Sequence, residues 1–572
     1  MFAFLRHRVW MIGNSRKSHH KWKQTPDSEK AGVKMSEAKS RNQLSRREVL
    51  KLGAGALAAA CMGGTIARAK QRPNILLLMS DQHRGDCLGA DGNRIIHTPN
   101  LDRIANEGVR FRCGYSCTPT CTPARAALLT GLAPWRNGLL GYGRVGEKYP
   151  IEMPQALRDA GYYTMGVGKM HWHPQRNPHG FHKMLLDEQD MRDPGFVSDY
   201  HQWFAREAPG LDPNATGLDW NGFAAKAYAL PERLHPTRWT ADNAIEFLKS
   251  YSGPEPFFLK VSFVRPHSPY DPPERWMKKY AEADLPKTKA GKWAAKYAPV
   301  MKDNPAAWHG DLGPEPVRSS RQGYYGSVSF VDEQVGRILE ALEQRGWLDE
   351  TLILFTSDHG DMTGDQNLWR KSYPYEPSAR IPFLMRWPTG LVSAKRGQVS
   401  MAPVELRDVL PTFLDAAGAP GAEKLDGRSL LSLVRGGGAD WRKYVDLEHS
   451  TCYTPSNQWT ALTDGHSKYI FFAYDGEEQF FDLDRDPAEL NDLSSDPAYQ
   501  DRVREWRRRM VNHLAERGAH FVKDGKPAIR RENDLYSPNY PGCSCHPMAK
   551  GEKNTKPKSP APRKGKAKKA VA

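Results

Sequence analysis

The sequence predicts an α/β fold with a smaller α+β subdomain at its C-terminal end, and three observations lead to this prediction. Continuous apolar runs, typical of strands buried on both faces of a parallel sheet, occur at 74–80, 257–264 and 352–356. An amphipathic stretch at 328–343 precedes the third run and supplies a helix that leads into a strand. After residue 436 the apolar runs become shorter and more aromatic, which indicates a second unit.

Each apolar run leads directly into polar residues. The run NILLLMS ends on Asp81-Gln82, the run LILFT is followed by Ser357-Asp358-His359, and FFLKVSFV is followed by Arg265-Pro266-His267. The helix before the third run carries Val331, Val335, Ile338, Leu339 and Leu342 on one face. In sheets whose strands alternate with helices, ligands bind at the carboxyl ends of the strands. We therefore expect the functional residues to gather at that edge.

The chain divides into four predicted segments. Residues 1–69 form a leader with an export signal, 70–435 the catalytic domain, 436–547 the C-terminal subdomain and 548–572 a basic tail. Within the subdomain, 468–474 and 479–483 are short aromatic and polar runs and 499–517 is a charged helix. The tail consists mostly of Lys, Pro, Ala and Gly, a composition that cannot build a core and predicts disorder.

The net charge of +16 belongs to the two ends of the chain. Residues 1–69 carry fourteen Lys and Arg against four acids, and residues 550–572 carry nine against one. The ends therefore hold +10 and +8, and the body between them is near −2. A duplex-binding domain would spread its basic residues over a folded face to meet phosphates. The charge pattern therefore argues against a nucleic acid partner.

The end of the leader resembles a twin-arginine export signal. Arg46-Arg47 precedes a mild, Ala/Gly-rich apolar stretch at 52–66, and Ala67-Arg68-Ala69 provides a cleavage site. The stretch is too short and too rich in glycine to span a membrane stably. Met35 would give a signal of ordinary length, so we expect translation to start there. The sequence thus predicts Tat-dependent export to the bacterial periplasm or beyond.

Cys121 opens the pattern C-x-P-x-R, which continues to Arg125 as CTPAR. The similar segment that begins at Cys117 reaches Cys121 where the arginine is needed, so only Cys121 fits the pattern. Six other cysteines would remain after cleavage of the signal, and the sequence does not determine whether they pair. These six are Cys87, Cys113, Cys117, Cys452, Cys543 and Cys545.

With this motif the chain resembles the type I sulfatases of the alkaline phosphatase superfamily. The resemblance covers most of residues 72–500 and includes PNILLLMSDQ, HTPNLDRIANEGVRF, CTPARAALLTG, GVGKMHWHP, PHSPYDPP, TSDHGD and FFDLDRDPAELNDL. It implies a mixed sheet between layers of helices and the hydrolysis of a sulfate ester. It also implies that a formylglycine-generating or other maturing enzyme oxidises Cys121 to formylglycine.

Formylglycine would suit this reaction because its hydrated aldehyde carries two hydroxyl groups. One hydroxyl can attack the sulfur, and the second can lose its proton so that sulfate is expelled and the aldehyde returns. Thr122 and Pro123 suit the first turn of a helix that ends near Gly131, whose N-terminus would favour an anionic group. Arg125, one turn further, is expected to hold the ionised diol with its fork of donors.

The resemblance further implies a divalent metal and a set of sulfate-binding cations. The metal ligands would be Asp81, Gln82, Asp358 and His359, and residue 121 would complete the set. Because most of these ligand atoms are oxygens, we expect Ca²⁺ as the metal, with Mn²⁺ or Mg²⁺ as alternatives. The cations that contact the substrate would be Lys169, His171, His267 and Lys371. Of these, we expect Lys169 and His171 nearer the diol, and His267 and Lys371 at the leaving oxygen.

Two alternatives remain open at this point. Many sulfatases have Asp where Gln82 stands, and phosphonate and phosphate ester hydrolases of the same superfamily share this departure. A catalytically inactive, glycan-binding relative is the other alternative, against which the intact set of motif residues argues. For an active enzyme, the substrate would be a small-molecule or oligosaccharide sulfate ester.

Overall fold

The computed structural model describes residues 72–188, 195–301, 304, 306–450 and 452–542. The predicted export signal and the basic tail lie outside these residues, as do Cys543 and Cys545. Among the described residues, no helix is both long and apolar enough to cross a membrane. Their five cysteines are free thiols, so the described part of the chain contains no disulfide.

Among the described residues, ten strands precede the C-terminal subdomain, and eight of them form the main sheet. In chain order they are β1 (Asn74–Asp81), β2 (Val109–Phe111), β3 (Gly114–Tyr115), β4 (Tyr163–Gly168), β5 (Lys183–Leu186), β6 (Phe257–Pro266), β7 (Thr351–Ser357), β8 (Phe383–Arg386), β9 (Gln398–Ser400) and β10 (Val404–Glu405). The sheet order is β5-β4-β6-β1-β7-β8-β2-β9, and β3 pairs with β10 separately. Strands β5, β4, β6, β1 and β7 run parallel, whereas β8 is antiparallel to both of its neighbours. The predicted mixed sheet is confirmed.

Helices cover both faces of this sheet, because alternate residues of its central strand are apolar on both sides. The helices are α1 (Pro99–Asn106), α2 (Cys121–Thr130), α3 (Pro134–Asn137), α4 (Met153–Asp159), α5 (Asp199–Glu207), α6 (Pro236–Ser250), α7 (Glu274–Lys279), α8 (Pro314–Gln344), α9 (Glu376–Ala379), α10 (Val409–Ala417) and α11 (Leu430–Val434). Ile75 and Leu77 of β1 belong to the core cluster that includes α2 and α10. Leu76 and Leu78 belong to the cluster that includes α6 and α8. One strand thus anchors two layers of the core.

The C-terminal subdomain is built on a second, antiparallel sheet. Its strands β11 (Val445–His449), β12 (Trp459–Thr463), β13 (Ser467–Phe472) and β14 (Glu478–Asp482) pair in sequence order. Helix α12 (Gln500–Leu514) buries Val503, Trp506 and Met510 against this sheet, and a short hairpin of β15 (Val522–Lys523) and β16 (Lys526–Pro527) follows. The predicted α+β character is confirmed.

The predicted strands match the structure within one or two residues, but α8 begins fourteen residues before the predicted helix. Its first half is rich in Ser, Gly and Tyr and lacks the apolar periodicity that identified the second half. Small residues are required there by close packing. A Cβ at Gly323 would lie 2.5 Å from the Cβ of Ala225, and one at Gly326 would lie 2.7 Å from Cγ of Pro272.

The fold brings the polar strand ends to one place. Strands β4, β6, β1 and β7 are parallel neighbours, so their carboxyl ends lie at the same edge of the sheet. The residues at or directly after these four ends are Lys169 after β4, His267 after β6, Asp81 and Gln82 at β1, and Asp358 and His359 after β7. The polar residues that follow the apolar runs therefore gather at this edge, as expected.

Candidate active site

Cys121 is the first residue of α2, which ends next to Gly131 as predicted, and Gly131 follows it in left-handed conformation (φ 67°). Pro123 lies in the first turn, where its missing N–H removes no helical hydrogen bond. Thr120, in extended conformation before the helix, lies with its hydroxyl 2.6 Å from Oγ of Ser372 and 2.8 Å from Nε2 of His449. The loop after β7 and the C-terminal subdomain therefore together fix the start of the helix.

Four groups surround the Cys121 thiol, which is buried. Its Sγ lies 3.1 Å from Nζ of Lys371, 3.2 Å from Nε2 of His359, and 3.9 Å from both Nζ of Lys169 and Oδ1 of Asp81. Burial alone would raise the pKa of the thiol and Asp81 adds to that, but Lys169, Lys371 and His359 outweigh both, and the pKa lies below its usual value. The site therefore favours an anionic group at this position.

Asp81, Cys121, Asp358 and His359 form a cluster suited to a metal ion. One potential ligand atom from each of them lies within 4.8 Å of all the others. His359 places Nδ1 2.9 Å from the carbonyl oxygen of Gly360, so Nε2 is left to face the cluster. Apart from the Cys121 sulfur, the donors are carboxylate oxygens and one imidazole, a set that fits a hard divalent cation. We call these four residues the metal cluster.

Gln82 adds a fifth candidate ligand beside the metal cluster. Its backbone has a positive φ of 69°, and its N–H donates to Oδ1 of Asp358 at 3.1 Å. Its side-chain Nε2 donates to Oδ2 of Asp361 at 2.6 Å, whereas its Oε1 is buried without a hydrogen-bond partner. A buried amide oxygen without a donor is costly, and a cation would satisfy it. The residues present therefore fit the predicted metal.

The contacts of Arg125 differ from those predicted. Its Nε donates to Oδ2 of Asp358 at 2.8 Å and its Nη2 to Oδ2 of Asp81 at 3.1 Å, while Nη1 donates to the Lys169 carbonyl and to Ser262. The side chain is fully buried. The guanidinium thus holds the two carboxylates of the metal cluster instead of residue 121. Arg125 is a positioning residue.

The distances of the two lysines from residue 121 differ from the prediction. Lys169, expected nearer the nucleophile, lies 3.9 Å from Sγ and forms an ion pair of 2.7 Å with Oδ2 of Asp81. Lys371, expected at the leaving oxygen, lies 3.1 Å from Sγ. Burial would lower the pKa of Lys371, but Cys121 and Asp81 raise it above its usual value, so the ammonium stays protonated.

His171 and His267 both border the cavity that Cys121 lines. The Nδ1 of His267 donates to the Ser268 carbonyl at 2.8 Å, and its ring stacks on Trp220 with centroids 4.9 Å apart. Burial, reinforced for His171 by Lys169 and for His267 by Lys371, holds the pKa of both imidazoles well below the usual value. Of the two predicted proton donors, Lys371 therefore favours its protonated form and His267 its neutral form.

This cavity has a volume of about 210 Å³. Several residues that line it were not predicted, and these include Tyr142, Glu188, Trp220, Arg370 and Tyr453. Most of them lie in stretches that the motifs do not cover, so no sequence signal identified them. Arg370 is the exception, because it directly precedes Lys371 in the sequence.

Comparisons with known proteins agree with this geometry. The sulfatase family model matches residues 73–419, and a model described as N-sulphoglucosamine sulphohydrolase, C-terminal, matches residues 364–516. The chain is 38% identical over 470 residues to an arylsulfatase of Clostridium perfringens, covering 80% of this chain and 97% of that protein.

Two solved structures share the fold. The phosphonate monoester hydrolase of Agrobacterium radiobacter has a TM-score of 0.65 and 26% identity, covering 81% of this chain and all of that one. A protein solved in complex with its substrate D-glucosamine-2-N,6-O-disulfate has a TM-score of 0.64 and 25% identity, covering 78% of this chain and 98% of that one.

Proposed function

This chain belongs to the sulfatase family, and we propose that it hydrolyses a sulfate monoester with a formylglycine nucleophile made from Cys121 and with a divalent cation in the metal cluster. One observation carries the proposal: Cys121, at the start of a helix, lies among the other three residues of the metal cluster and two lysines, with Nζ of Lys371 3.1 Å from its sulfur. The completeness of this site argues against an inactive glycan-binding protein.

Oxidised to the aldehyde and hydrated, residue 121 would supply one hydroxyl to attack sulfur and a second whose deprotonation releases sulfate. The side chains of Asp81, Asp358, His359 and Gln82 would hold the cation, for which Ca²⁺ is our first choice and Mn²⁺ or Mg²⁺ the alternatives. When bound, the cation would lower the pKa of a hydroxyl and offset negative charge.

The lysines and histidines would bind the sulfate group and stabilise its departure. Lys169 and Lys371 lie 3.9 Å and 3.1 Å from the sulfur of Cys121, and their ammonium groups would bind the oxygens of the sulfate group. Lys371, held protonated, would donate a proton to the leaving oxygen. His171 and His267 border the same cavity and would orient the ester.

The alcohol part of the ester would belong to a small molecule or a sulfated oligosaccharide. The glucosamine disulfate bound to one structural neighbour supports the second possibility, and the arylsulfatase relative supports the first. Maturation would require a formylglycine-generating or other sulfatase-maturing enzyme as a partner.

A second candidate function, phosphonate or phosphate ester hydrolysis, is favoured by one specific observation. Gln82 contributes a neutral amide oxygen beside the metal cluster, so the site carries one negative charge less than it would with Asp. A less negative site tolerates a dianionic phosphate ester better. The similar fold of the phosphonate monoester hydrolase is consistent with this function.

Matched aryl esters separate the two functions. We expect 4-nitrophenyl sulfate to be hydrolysed with a higher kcat/KM than 4-nitrophenyl phosphate, and Gln82→Asp to raise this sulfate-to-phosphate ratio about tenfold, which corresponds to about 1.4 kcal/mol. Gln82→Asn is the control, because it shortens the side chain without adding charge and should leave the ratio unchanged. A wild-type preference for the phosphate ester by orders of magnitude would support the second candidate instead.

We further propose that the protein is exported by the Tat machinery to the periplasm or beyond, on the basis of Arg46-Arg47 and the apolar stretch that follows. Replacing both arginines by lysine is expected to leave the precursor in the cytoplasm, as measured by fractionation and immunoblotting. Arg41→Lys, outside the pair, should not alter export. Periplasmic enzyme from the double variant would argue against this route.

A further inference from the structure

Glu188 borders the catalytic cavity with one oxygen bound and the other unpartnered. Its Oε2 accepts the backbone N–H of Met170 at 3.0 Å and that of His171 at 2.6 Å. These two bonds fix the carboxylate directly behind the predicted sulfate-binding residues. Its Oε1 is buried and has no hydrogen-bond partner, and the residue is only 6% exposed. The carboxylate is therefore held in one position, and its Oε1 remains free to accept a hydrogen bond.

An unpartnered oxygen in this position is costly unless a ligand supplies a donor. A buried acceptor without a partner costs about 1–3 kcal/mol, and more when it is charged. Among the described residues that line the cavity, Glu188 is the one carboxylate, whereas Lys169, Arg370 and Lys371 are cations. The cations suit the sulfate group. Glu188 therefore suits a different part of the substrate.

A second carboxylate, that of Asp187, lies next to Glu188 in the sequence and lines a neighbouring cavity. Asp187 and Glu188 both line a smaller cavity of about 50 Å³, which shares Trp220 with the catalytic cavity. The Oδ2 of Asp187 is also buried without a partner. Arg265, on the same wall, is already paired with Asp271 at 2.7 Å. Burial raises the pKa of Asp187 to about 7 and that of Glu188 above its usual value, as expected for buried carboxylates that each have one oxygen without a donor.

We propose that Glu188 determines specificity by accepting a hydrogen bond from a donor on the alcohol part of the sulfate ester. The preferred substrates are then sulfated sugars or polyols that carry a hydroxyl or ammonium group near the ester, in preference to aryl sulfates without a donor. This inference rests on the proposed sulfatase function and specifies its substrate class. A site built to bind a polar substituent discriminates strongly against analogues that lack it, because its polar group is then left unpaired.

The variant Glu188→Gln tests this role with little change in shape. The glutamine oxygen can still accept the N–H groups of Met170 and His171, so its NH₂ group replaces Oε1 and faces the cavity as a donor. We would measure kcat and KM of wild type and variant for glucose 6-sulfate, glucosamine 6-sulfate and 4-nitrophenyl sulfate. The ratio of kcat/KM for the sugar sulfates to that for the aryl sulfate is expected to fall at least tenfold, mainly through KM.

The two sugar substrates identify the donor. A larger fall for glucosamine 6-sulfate would assign it to an ammonium group, and an equal fall would assign it to a hydroxyl; either supports the proposal. Asp332→Asn is a matched control, because Asp332 is also buried and accepts the backbone N–H groups of Asn100 and Leu101, but it does not line the catalytic cavity. Its ratio should equal that of the wild type.

Three results would overturn the inference. The first is an equal fall for all three substrates in Glu188→Gln, which would show that Glu188 only positions His171. The second is an unchanged ratio. The third is a wild-type enzyme that hydrolyses the aryl sulfate but neither sugar sulfate, which leaves the proposed function intact. A wild-type enzyme that hydrolyses none of the three would instead contradict the proposed function itself.

Discussion

Replacing Cys121 by alanine is expected to lower kcat on 4-nitrophenyl sulfate at least about 10⁴-fold, because it removes the nucleophile and leaves only binding and electrostatic stabilisation. The surroundings of the Cys121 sulfur explain why removing this one atom should lower kcat so strongly. Lys371, His359, Lys169 and Asp81 all lie within 3.9 Å of this sulfur. The whole site is therefore arranged around residue 121.

Cys117→Ala is the matched control for this substitution. Cys117 is equally buried and begins a similar Cys-Thr-Pro segment four residues earlier, but it does not line the catalytic cavity. This variant should keep wild-type kcat, apart from a modest loss of stability. If Cys121→Ala retained full activity, the nucleophile would have to be assigned elsewhere.

Replacing Arg125 by leucine is expected to destabilise the metal-free protein by about 3–5 kcal/mol, because two buried carboxylates, those of Asp81 and Asp358, would lose their shared partner. The same change should weaken calcium binding about 10- to 100-fold, since the guanidinium orients both carboxylates. Chemical denaturation with a chelator present would measure stability. If unfolding proves irreversible, the rate of heat inactivation would be compared in place of the free energy of unfolding.

Arg321→Leu separates the two effects of this substitution. Arg321 is also buried, and its Nη2 pairs with Asp365 at 2.7 Å outside the metal cluster. This variant should lose stability while its calcium affinity stays at the wild-type value. Unchanged calcium affinity in Arg125→Leu would contradict the positioning role of Arg125.

The strands and the edge that carries the site were predictable because parallel strands buried on both faces give continuous apolar runs with clear ends. Asp81 and Asp358 could be located in this way from the two runs that precede them. The short strands β2 and β9, three residues each, were not predictable. Their positions depend on pairing with distant parts of the chain, and such short runs carry little periodicity.

The directions in which side chains point could not be predicted from the sequence either. The spacing placed Arg125 one turn after Cys121, but it could not show that the guanidinium turns toward Asp81 and Asp358. Glu188 and Trp220 belong to long connections without a motif, and only the folded chain brings them to the cavity. Loops position functional residues through tertiary contacts that leave no local pattern.

The central claim is that Cys121 becomes the formylglycine nucleophile, and the mass of one tryptic peptide of the active, mature enzyme tests it most directly. The peptide from Cys113 to Arg125 contains three cysteines, so Cys113 and Cys117 serve as internal controls. Conversion replaces the sulfur and two hydrogens of Cys121 by one oxygen. We therefore expect the peptide to be about 18 Da lighter, with fragment ions that assign the loss to residue 121 and a converted fraction that tracks kcat. Fully active enzyme with an unmodified Cys121 would contradict the claim.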